Sequence, residues 1–264
     1  MYAFDNPIVM GIVNATPDSF YVKSRANSER EILNLCEKHM QEGATILDIG
    51  AMSTRPGAEE IPLEIEQKSI DFALNCIAKE NLKILISVDT YRTKVAEIAI
   101  HLGADFINDI AAGDDDGMLA LISKYDIGFM AMHKKGMPKD MQQKPYYDNV
   151  TTAVSNYFLN KNEMFKQHGI HNWVADPGFG FAKTAAHNFE LMKNLTVIKT
   201  IVNRPILVGV SRKGMVYKTL NITADNALNG TTVLHTAALL KGANILRVHD
   251  VKEAIEAVKL CELL

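Results

Sequence analysis

The chain has 264 residues, enough for one large α/β domain, and a compact chain of this length buries about 73% of its unfolded surface without a disulfide or metal. Its 28 basic and 31 acidic residues leave a formal net charge of −3. This near-balance argues against nucleic acid or an anionic membrane as the main partner, because such partners select a strongly basic surface. No apolar run approaches the roughly 20 residues that a membrane span requires.

A short apolar run rich in β-branched residues recurs along the chain, and each run is followed by a polar residue and an amphipathic stretch. These runs lack polar/apolar alternation, which is typical of strands buried on both faces of a parallel sheet. Their spacing of about 33 residues is close to the length of a βα unit. In chain order they are Ile8–Val13, Ile46–Ile49, Ile84–Val88, Phe106–Ile107, Ile127–Met132, Trp173–Ala175, Ile206–Val208 and Ile245–Val248.

The stretches between these runs are predicted to be helices. Glu31–Met40 carries an apolar face, and Ser28 with Glu31 predicts a capping box at its start. In the third unit, the apolar stripe from Val95 to Leu102 ends at Gly103, a typical C-terminal cap. Eight βα units without a break predict a single-domain (β/α)8 TIM barrel over residues 1–264. An open doubly wound sheet is the alternative.

The cysteines indicate the compartment. Cys36, Cys76 and Cys261 form an odd, scattered set in segments predicted to be helical, which is typical of buried, reduced thiols. The first residues lack the basic and long apolar segments of a secretory signal. We therefore expect a cytoplasmic protein.

The polar residues that directly follow the predicted strands should meet at one mouth of the barrel, where barrel enzymes place their active sites. The acidic and amide residues come mostly from the strands before the seventh, whereas cations dominate after the seventh and eighth strands. The first group is Asn14, Asp48, Asp89, Asn108, Asp109 and Asp176, and the second is Arg212, Lys213, Arg247 and His249. The sequence therefore predicts a mouth with its charge divided between two sides.

Each side predicts a different part of a ligand. Loops after the seventh and eighth strands commonly bind phosphate, and the N-terminus of the last helix favours an anion, so a phosphorylated or pyrophosphorylated substrate fits there. Buried carboxylates are costly unless they meet donors, so a flat, donor-rich heterocycle such as an aminopyrimidine fits the acidic side.

Several strand-end segments are distinctive and follow one another in a recognisable order. Residues 16–20 read Thr-Pro-Asp-Ser-Phe, and residues 53–58 read Ser-Thr-Arg-Pro-Gly-Ala. The others are Asp48–Gly50, Ser87–Thr90, Ile107–Asp109, Met132–His133, Asp176–Phe181, Gly209–Lys213 and Arg247–Asp250. Together they resemble the dihydropteroate synthase family, the folate-pathway enzymes that sulfonamides inhibit.

The resemblance implies a (β/α)8 barrel, commonly a homodimer, that joins 6-hydroxymethyl-7,8-dihydropterin diphosphate to 4-aminobenzoate and releases pyrophosphate with Mg²⁺. It implies a pterin pocket of Asp89, Asn108, Asp176 and Lys213. It places Asn14, Arg247 and His249 at the diphosphate, with Asn14 also at the metal. It assigns the aminobenzoate side to Thr54, Arg55, Phe181 and Ser211. The residues implied in catalysis are Asp89, Asp176, Lys213, Arg247 and His249.

Some positions depart from the family pattern, and other functions stay open. After Phe20 the chain reads Tyr-Val-Lys-Ser-Arg where the family usually has Ser-Asp-Gly-Gly, Ala51-Met52 replaces Gly-Glu, and Ala182 replaces a glycine. The altered first loop leaves room for a non-catalytic pterin-binding paralogue. A pterin-dependent methyltransferase on the same barrel needs no diphosphate clamp, so the Arg247/His249 pair argues against it. A Schiff-base aldolase would use Lys213.

Overall fold

Eight parallel strands form one sheet at the centre of the computed structural model, which describes Phe4 and residues 6–15, 25–51, 60–136 and 145–264, with only the backbone of 25–28. The strands are β1 (Ile8–Asn14), β2 (Ile46–Gly50), β3 (Leu85–Asp89), β4 (Phe106–Asp109), β5 (Gly128–Met132), β6 (Trp173–Asp176), β7 (Leu207–Val208) and β8 (Ile245–Val248). Every run predicted to be a strand is one, and the ends differ by at most two residues.

The sheet closes into a barrel. Its strand order is β6-β5-β4-β3-β2-β1-β8-β7. The two outermost strands in this order also meet, because Ala175 forms a parallel bridge with Ile206 and its N–H donates to the carbonyl oxygen of Pro205 at 2.9 Å. The predicted (β/α)8 barrel is therefore confirmed, and the open doubly wound sheet is wrong.

Ten helices lie between or after the strands in the described part of the chain. They are α1 (Arg25–Gln41), α2 (Leu63–Lys79), α3 (Thr93–His101), α4 (Met118–Tyr125), α5 (Val150–Gln167), α6 (Ala185–Lys193), α7 (Leu195–Val202), α8 (Gly214–Tyr217), α9 (Leu228–Leu240) and α10 (Val251–Cys261). None of the described helices has the length and apolar character needed to cross a bilayer.

Two helix predictions had different outcomes. The stripe of the third unit is confirmed, because Val95 and Ala99 are buried on α3 and Gly103 follows its end with a φ of +91°. The capping box is wrong, because α1 begins at Arg25 and Ser28 lies inside the helix. A serine and a glutamate three residues apart also fit the interior of a helix, so this local signal does not determine where a helix begins.

The cysteine prediction holds for two of the three thiols. Cys36 and Cys76 are buried and free, whereas Cys261 is free but only half-buried on the last helix. Burial raises the pKa of Cys36 to about 12, so this thiol stays protonated and unreactive.

The inside of the barrel has an apolar layer below a polar one. Side chains alternate between the two faces of a strand, so residues two apart point the same way. Ile46, Phe106 and Ile245 belong to one buried apolar cluster inside the barrel. Two residues further on, toward the carboxyl end of each strand, stand Asp48, Asn108 and Arg247. The strand spacing alone therefore stacks polar groups above an apolar floor.

The loop after β6 depends on a glycine. Gly178 has a φ of +71°, and a Cβ at this position would lie 2.0 Å from the carbonyl oxygen of His133 on the neighbouring strand end. Ala182, at the other end of the loop, has a φ of +49°. Residues with side chains adopt this left-handed conformation at a cost.

We predict that Gly178→Ala lowers the free energy of unfolding by at least about 3 kcal/mol, because it adds a backbone clash to the left-handed conformation. Gly103→Ala is the matched control: Gly103 also has positive φ, but a Cβ there meets nothing within 4 Å. This control should lose only about 1 kcal/mol. Urea unfolding monitored by circular dichroism measures both values, and equal losses would contradict the argument.

Candidate active site

A small cavity, partly open to solvent, lies at the carboxyl ends of the strands. It is lined by side chains from both charged groups that the sequence predicted. All the lining residues are Asp89, Asn108, Ile110, Met132, Asp176, Phe181, Gly209, Lys213 and Arg247. The structure therefore brings the acidic residues from the middle of the chain and the basic residues from its end into one site.

Arg247 connects the two charged groups directly. Its Nε donates to Oδ2 of Asp48 at 2.6 Å, and its Nη2 donates to Oδ2 of Asp89 at 2.7 Å. Burial works to lower the pKa of Arg247, but the two carboxylates outweigh it and hold this pKa above its usual range. The guanidinium is therefore charged and lies on the acidic side of the cavity.

The surroundings of Asp89 strongly affect its ionisation. It is 5% exposed, and burial raises its pKa to about 7, against the stabilising charge of Arg247. The charges of Asp48, Glu66 and Asp109 raise it further. Its Oδ1 is buried and has no hydrogen-bond partner among the described residues. Asp89 can therefore accept a hydrogen bond from a ligand.

Asp176 and Lys213 form the opposite wall. Oδ1 of Asp176 accepts a hydrogen bond from the N–H of Gly178 at 2.7 Å, and burial raises its pKa while the charge of Lys213 opposes this. Nζ of Lys213 donates to the carbonyl oxygen of Phe179 at 2.7 Å and lies 4.8 Å from the ring centre of Phe181. This wall offers one carboxylate and one cation above an aromatic ring.

The residues after β7 and β8 form a second cluster at the rim. Oγ of Ser211 lies 3.0 Å from Nδ1 of His249 and accepts a hydrogen bond from the His249 N–H at 3.2 Å. Ser211, which the resemblance placed on the aminobenzoate side, thus contacts a residue from the diphosphate set. Arg212 forms a two-point ion pair with Asp250 at 2.8 and 2.9 Å, so its charge is used within the protein.

The remaining predicted residues lie at the edge of the site or outside the description. Asn14 ends β1, pairs in register with Gly50 and is exposed. Thr54 and Arg55 lie outside the described residues. Within the described residues no group of three or more His, Cys, Asp or Glu side chains could hold a metal ion.

No role was expected for Lys183, but its side chain anchors the loop after β6. Its buried Nζ lies 3.0 Å from the carbonyl oxygens of Gly178 and Phe181 and 3.0 Å from Nδ1 of His133. Burial lowers the pKa of Lys183 to about 7. The loop that carries Phe179 and Phe181 is thereby tied to the end of β5. A lysine seven residues after a strand-end aspartate is not in itself a signal for this role.

Comparisons with known proteins agree with the geometry. A family model described as pterin binding enzyme matches residues 10–249. The dihydropteroate synthase of Escherichia coli (strain K12) is 38% identical over 259 residues, covering 97% of this chain and 91% of that protein.

Solved structures agree over nearly the whole length. The crystal structure of the Yersinia pestis dihydropteroate synthase with a sulfonamide drug matches with a TM-score of 0.92 and 37% identity, covering 99% of this chain and 95% of that one. The Xanthomonas albilineans dihydropteroate synthase with 4-aminobenzoic acid matches with a TM-score of 0.90 and 32% identity, covering 99% and 94%. The methyltransferase and aldolase alternatives are thereby set aside. The chain belongs to the pterin-binding enzymes and, within them, to the dihydropteroate synthases, which are transferases of folate biosynthesis.

Proposed function

We propose that the cavity between Asp89 and Lys213 holds the pterin ring of 6-hydroxymethyl-7,8-dihydropterin diphosphate, and that residues at its rim hold the diphosphate and the amine. The observation that carries this proposal is that buried acceptors and cations from β7 and β8 line the same cavity. Its test is pyrophosphate release, measured with both substrates present and with each one omitted.

The pterin is recognised by hydrogen bonds to its polar edge. A dihydropterin carries ring N–H and amino donors, and the buried carboxylates of Asp89 and Asp176 supply acceptors that would otherwise be poorly satisfied. The Asn108 amide and the Lys213 ammonium complete the set with donors. The flat cavity wall formed by Phe181 and Met132 suits the face of the ring.

The diphosphate is placed at the rim, near Arg247, His249 and Asn14. Mg²⁺ commonly binds through one or two protein ligands together with substrate phosphates. The exposed amide of Asn14 offers one such oxygen, and the described residues contain no cluster of acidic ligands that could hold the ion alone. When bound, Mg²⁺ neutralises charge on the leaving group. Arg247 and His249 supply the chain's own stabilisation of that charge.

Bond exchange occurs at the methylene carbon of the pterin. The carbon–oxygen bond to the diphosphate breaks and its electron pair leaves with pyrophosphate. The electron-rich dihydropterin delocalises the resulting positive charge, and the carboxylates of Asp89 and Asp176 stabilise it electrostatically. The neutral amine of 4-aminobenzoate then forms the carbon–nitrogen bond and passes one proton to water. No strong general base is required, because an arylamine is nucleophilic in its neutral form.

The amine is placed beside Phe181, and the resemblance assigns Thr54 and Arg55 to the same ligand. Phe181 is 7% exposed and packs with Ile110 and Met132, so one edge of an aromatic ring is available to a flat ligand. The Xanthomonas albilineans relative was crystallised with 4-aminobenzoic acid and the Yersinia pestis relative with a sulfonamide drug. We extend both ligand classes to this chain, which makes it a sulfonamide target.

We predict that Asp176→Asn weakens binding of an unphosphorylated pterin by about tenfold or more, because it removes a charged acceptor from a buried site. Arg247→Met should weaken dihydropterin diphosphate by about tenfold or more while changing unphosphorylated pterin less. Isothermal titration calorimetry measures both ligands.

Arg204→Met is the matched control for Arg247→Met, since Arg204 donates to the carbonyl oxygen of His171, before β6 and at the opposite end of the barrel. It should bind both ligands like the unmodified protein. Arg247→Met binding the diphosphate with unchanged affinity would overturn the assignment of the rim. Because an unpaired buried carboxylate destabilises a protein, thermal unfolding of each variant accompanies the titrations.

We predict that affinity for an unphosphorylated pterin falls as pH drops through about 7, because only the ionised carboxylate of Asp89 offers both oxygens as acceptors and the pKa of Asp89 is raised to about 7. The sign follows from the raised pKa: protonation begins near neutral pH instead of near 4. Calorimetry from pH 5.5 to 8.5 checks this, and an affinity that is constant over that range would contradict it.

We propose that the chain is a homodimer through the face formed by α9 and α10. A groove of about 490 Å³ runs between these helices and is lined by Leu228, Ala257 and Leu260 among others. Leu260 is 65% exposed and Val233, on α9, is 60% exposed. Contiguous exposed apolar side chains are typical of protein interfaces.

We predict that Leu260→Glu shifts the chain from dimer toward monomer, raising the dissociation constant by about tenfold or more, because a charge would be buried at the centre of the interface. Leu159→Glu, on the exposed side of α5, is the control and should stay dimeric. Sedimentation velocity over a range of concentrations separates the two, and a dimer unaffected by Leu260→Glu would place the interface elsewhere.

A further inference from the structure

A buried aspartate, Asp48, binds Arg247, which lines the cavity. Asp48 has no exposed surface and does not line the cavity, yet its Oδ2 accepts from Nε of Arg247 at 2.6 Å and from Nδ2 of Asn108 at 3.1 Å. One oxygen atom thus orients two side chains that do line the cavity. Charge-assisted hydrogen bonds of this length are strong and directional.

The two ends of the Arg247 guanidinium are held by different carboxylates. Nε is bound by Asp48, in the buried layer, and Nη2 is bound by Asp89, at the cavity surface. The side chain of Arg247 is 20% exposed, compared with 0% for Asp48 and 5% for Asp89. The inner contact is therefore sealed from solvent, whereas the outer contact lies where a ligand arrives.

Pterin binding competes with the outer contact. Asp89 has one oxygen on Arg247 and its other oxygen without a partner among the described residues, so a ligand that takes both oxygens competes with Nη2 for Oδ2. If nothing else held the arginine, its whole side chain would be released with it. Because Asp48 keeps Nε, the guanidinium stays at the site and only its outer end becomes free.

We propose that Asp48 is a positioning residue, a pivot that keeps Arg247 in place while the outer end of its guanidinium passes from Asp89 to the diphosphate of the bound substrate. This inference rests on the proposed function, because it assumes that Asp89 takes the pterin and Arg247 the diphosphate. It links the two halves of the site: occupation of Asp89 by the ring releases the donor that the diphosphate needs.

The charged groups around Asp48 and Arg247, this pair included, stand on six elements. Asp48 stands on β2 and Arg247 on β8, and the ionisation of Asp89 on β3 is affected by both of them, by Glu66 on α2 and by Asp109 on β4. Asp176 on β6 adds a further carboxylate that acts on Arg247. Removing the negative charge of Asp48 therefore has two effects. Asp89 becomes the one carboxylate that still binds Arg247 among the described residues, and the pKa of Asp89 falls.

The test uses Asp48→Asn, which keeps the size of the side chain and removes its charge. We measure the dissociation constants of an unphosphorylated pterin and of its diphosphate by calorimetry, and take their ratio as the contribution of the diphosphate. In Asp48→Asn the dissociation constant of the pterin divided by that of its diphosphate should fall by about tenfold, because the pterin takes Asp89 and the Asp48 carboxylate no longer holds Arg247 at the diphosphate. The pH at which pterin affinity declines should also move to lower values, since Asp48 raises the pKa of Asp89.

Ser87→Ala is the matched control. Ser87 is the register neighbour of Asp48 on β3 and is equally buried, so its variant changes the same layer of the barrel without changing its charge. It should leave both the ratio and the pH dependence unchanged. A shift in the pH profile distinguishes the proposed role from a loss of packing, which would not alter the ionisation of Asp89.

The double variant Asp48→Asn/Arg247→Met decides whether Asp48 acts through Arg247. The ratio in this variant should equal that in Arg247→Met alone, and a further decrease would overturn the pivot. In Asp48→Asn the guanidinium of Arg247 keeps its ion pair with Asp89, so the variant leaves no buried charge without a partner and is expected to fold.

Two failures are distinguishable. If Asp176→Asn leaves pterin binding unchanged, the proposed pterin site itself is wrong. If Asp176→Asn weakens pterin binding as expected but Asp48→Asn retains the ratio of the Ser87→Ala control, the site is right and the pivot is wrong.

Discussion

The site depends on keeping several carboxylates ionised or poised to ionise inside a barrel that excludes most water. Asp48, Asp89 and Asp176 each lose hydration on burial, and such a cost is tolerable only with cations and donors at hydrogen-bonding distance. Arg247 meets this requirement by bridging Asp48 and Asp89, while the charge of Lys213 acts on Asp176. The same balance leaves acceptor atoms unsatisfied at the cavity, and a donor-rich ring fits there. The arrangement of charges that makes the buried carboxylates tolerable is thus also the arrangement that recognises the substrate.

The barrel supplies the distances that this balance needs. Strands β2, β3 and β4 are neighbours, so Asp48, Asp89 and Asn108 approach one another although about 60 residues separate the first from the last. Closure through β1 and β8 brings Arg247 to within hydrogen-bonding distance of Asp48, across most of the chain. The loop after β6 adds the opposite wall and is held by the buried Lys183 and by a glycine that a side chain cannot replace without a clash. A rigid frame of this kind allows a small set of charges to be placed before the substrate arrives.

Much of the fold could be predicted because the signals are local and periodic. The eight apolar runs have lengths and spacing that few other architectures share, and all eight became strands within two residues of the predicted ends. The start of α1 was missed, since a serine followed three residues later by a glutamate fits both a cap and a helix interior. Cys261 was expected to be buried and is only half-buried, because one face of the last helix lies outside the core. Errors of this type concern ends and faces, where tertiary packing outweighs local preference.

The sequence alone determined which residues stand at strand ends, and therefore which chemical groups face the mouth. Successive side chains of a strand point to opposite faces of the sheet, and parallel strands all end at the same edge. It could not determine which charges pair. Arg247 was expected at the substrate diphosphate, and in the structure it binds the protein's own carboxylates, Asp48 and Asp89. Ser211 was expected on the aminobenzoate side, and it contacts His249. Pairing depends on distances across the closed barrel and on the cost of leaving a buried charge alone. Both are set only when all eight strands have come together.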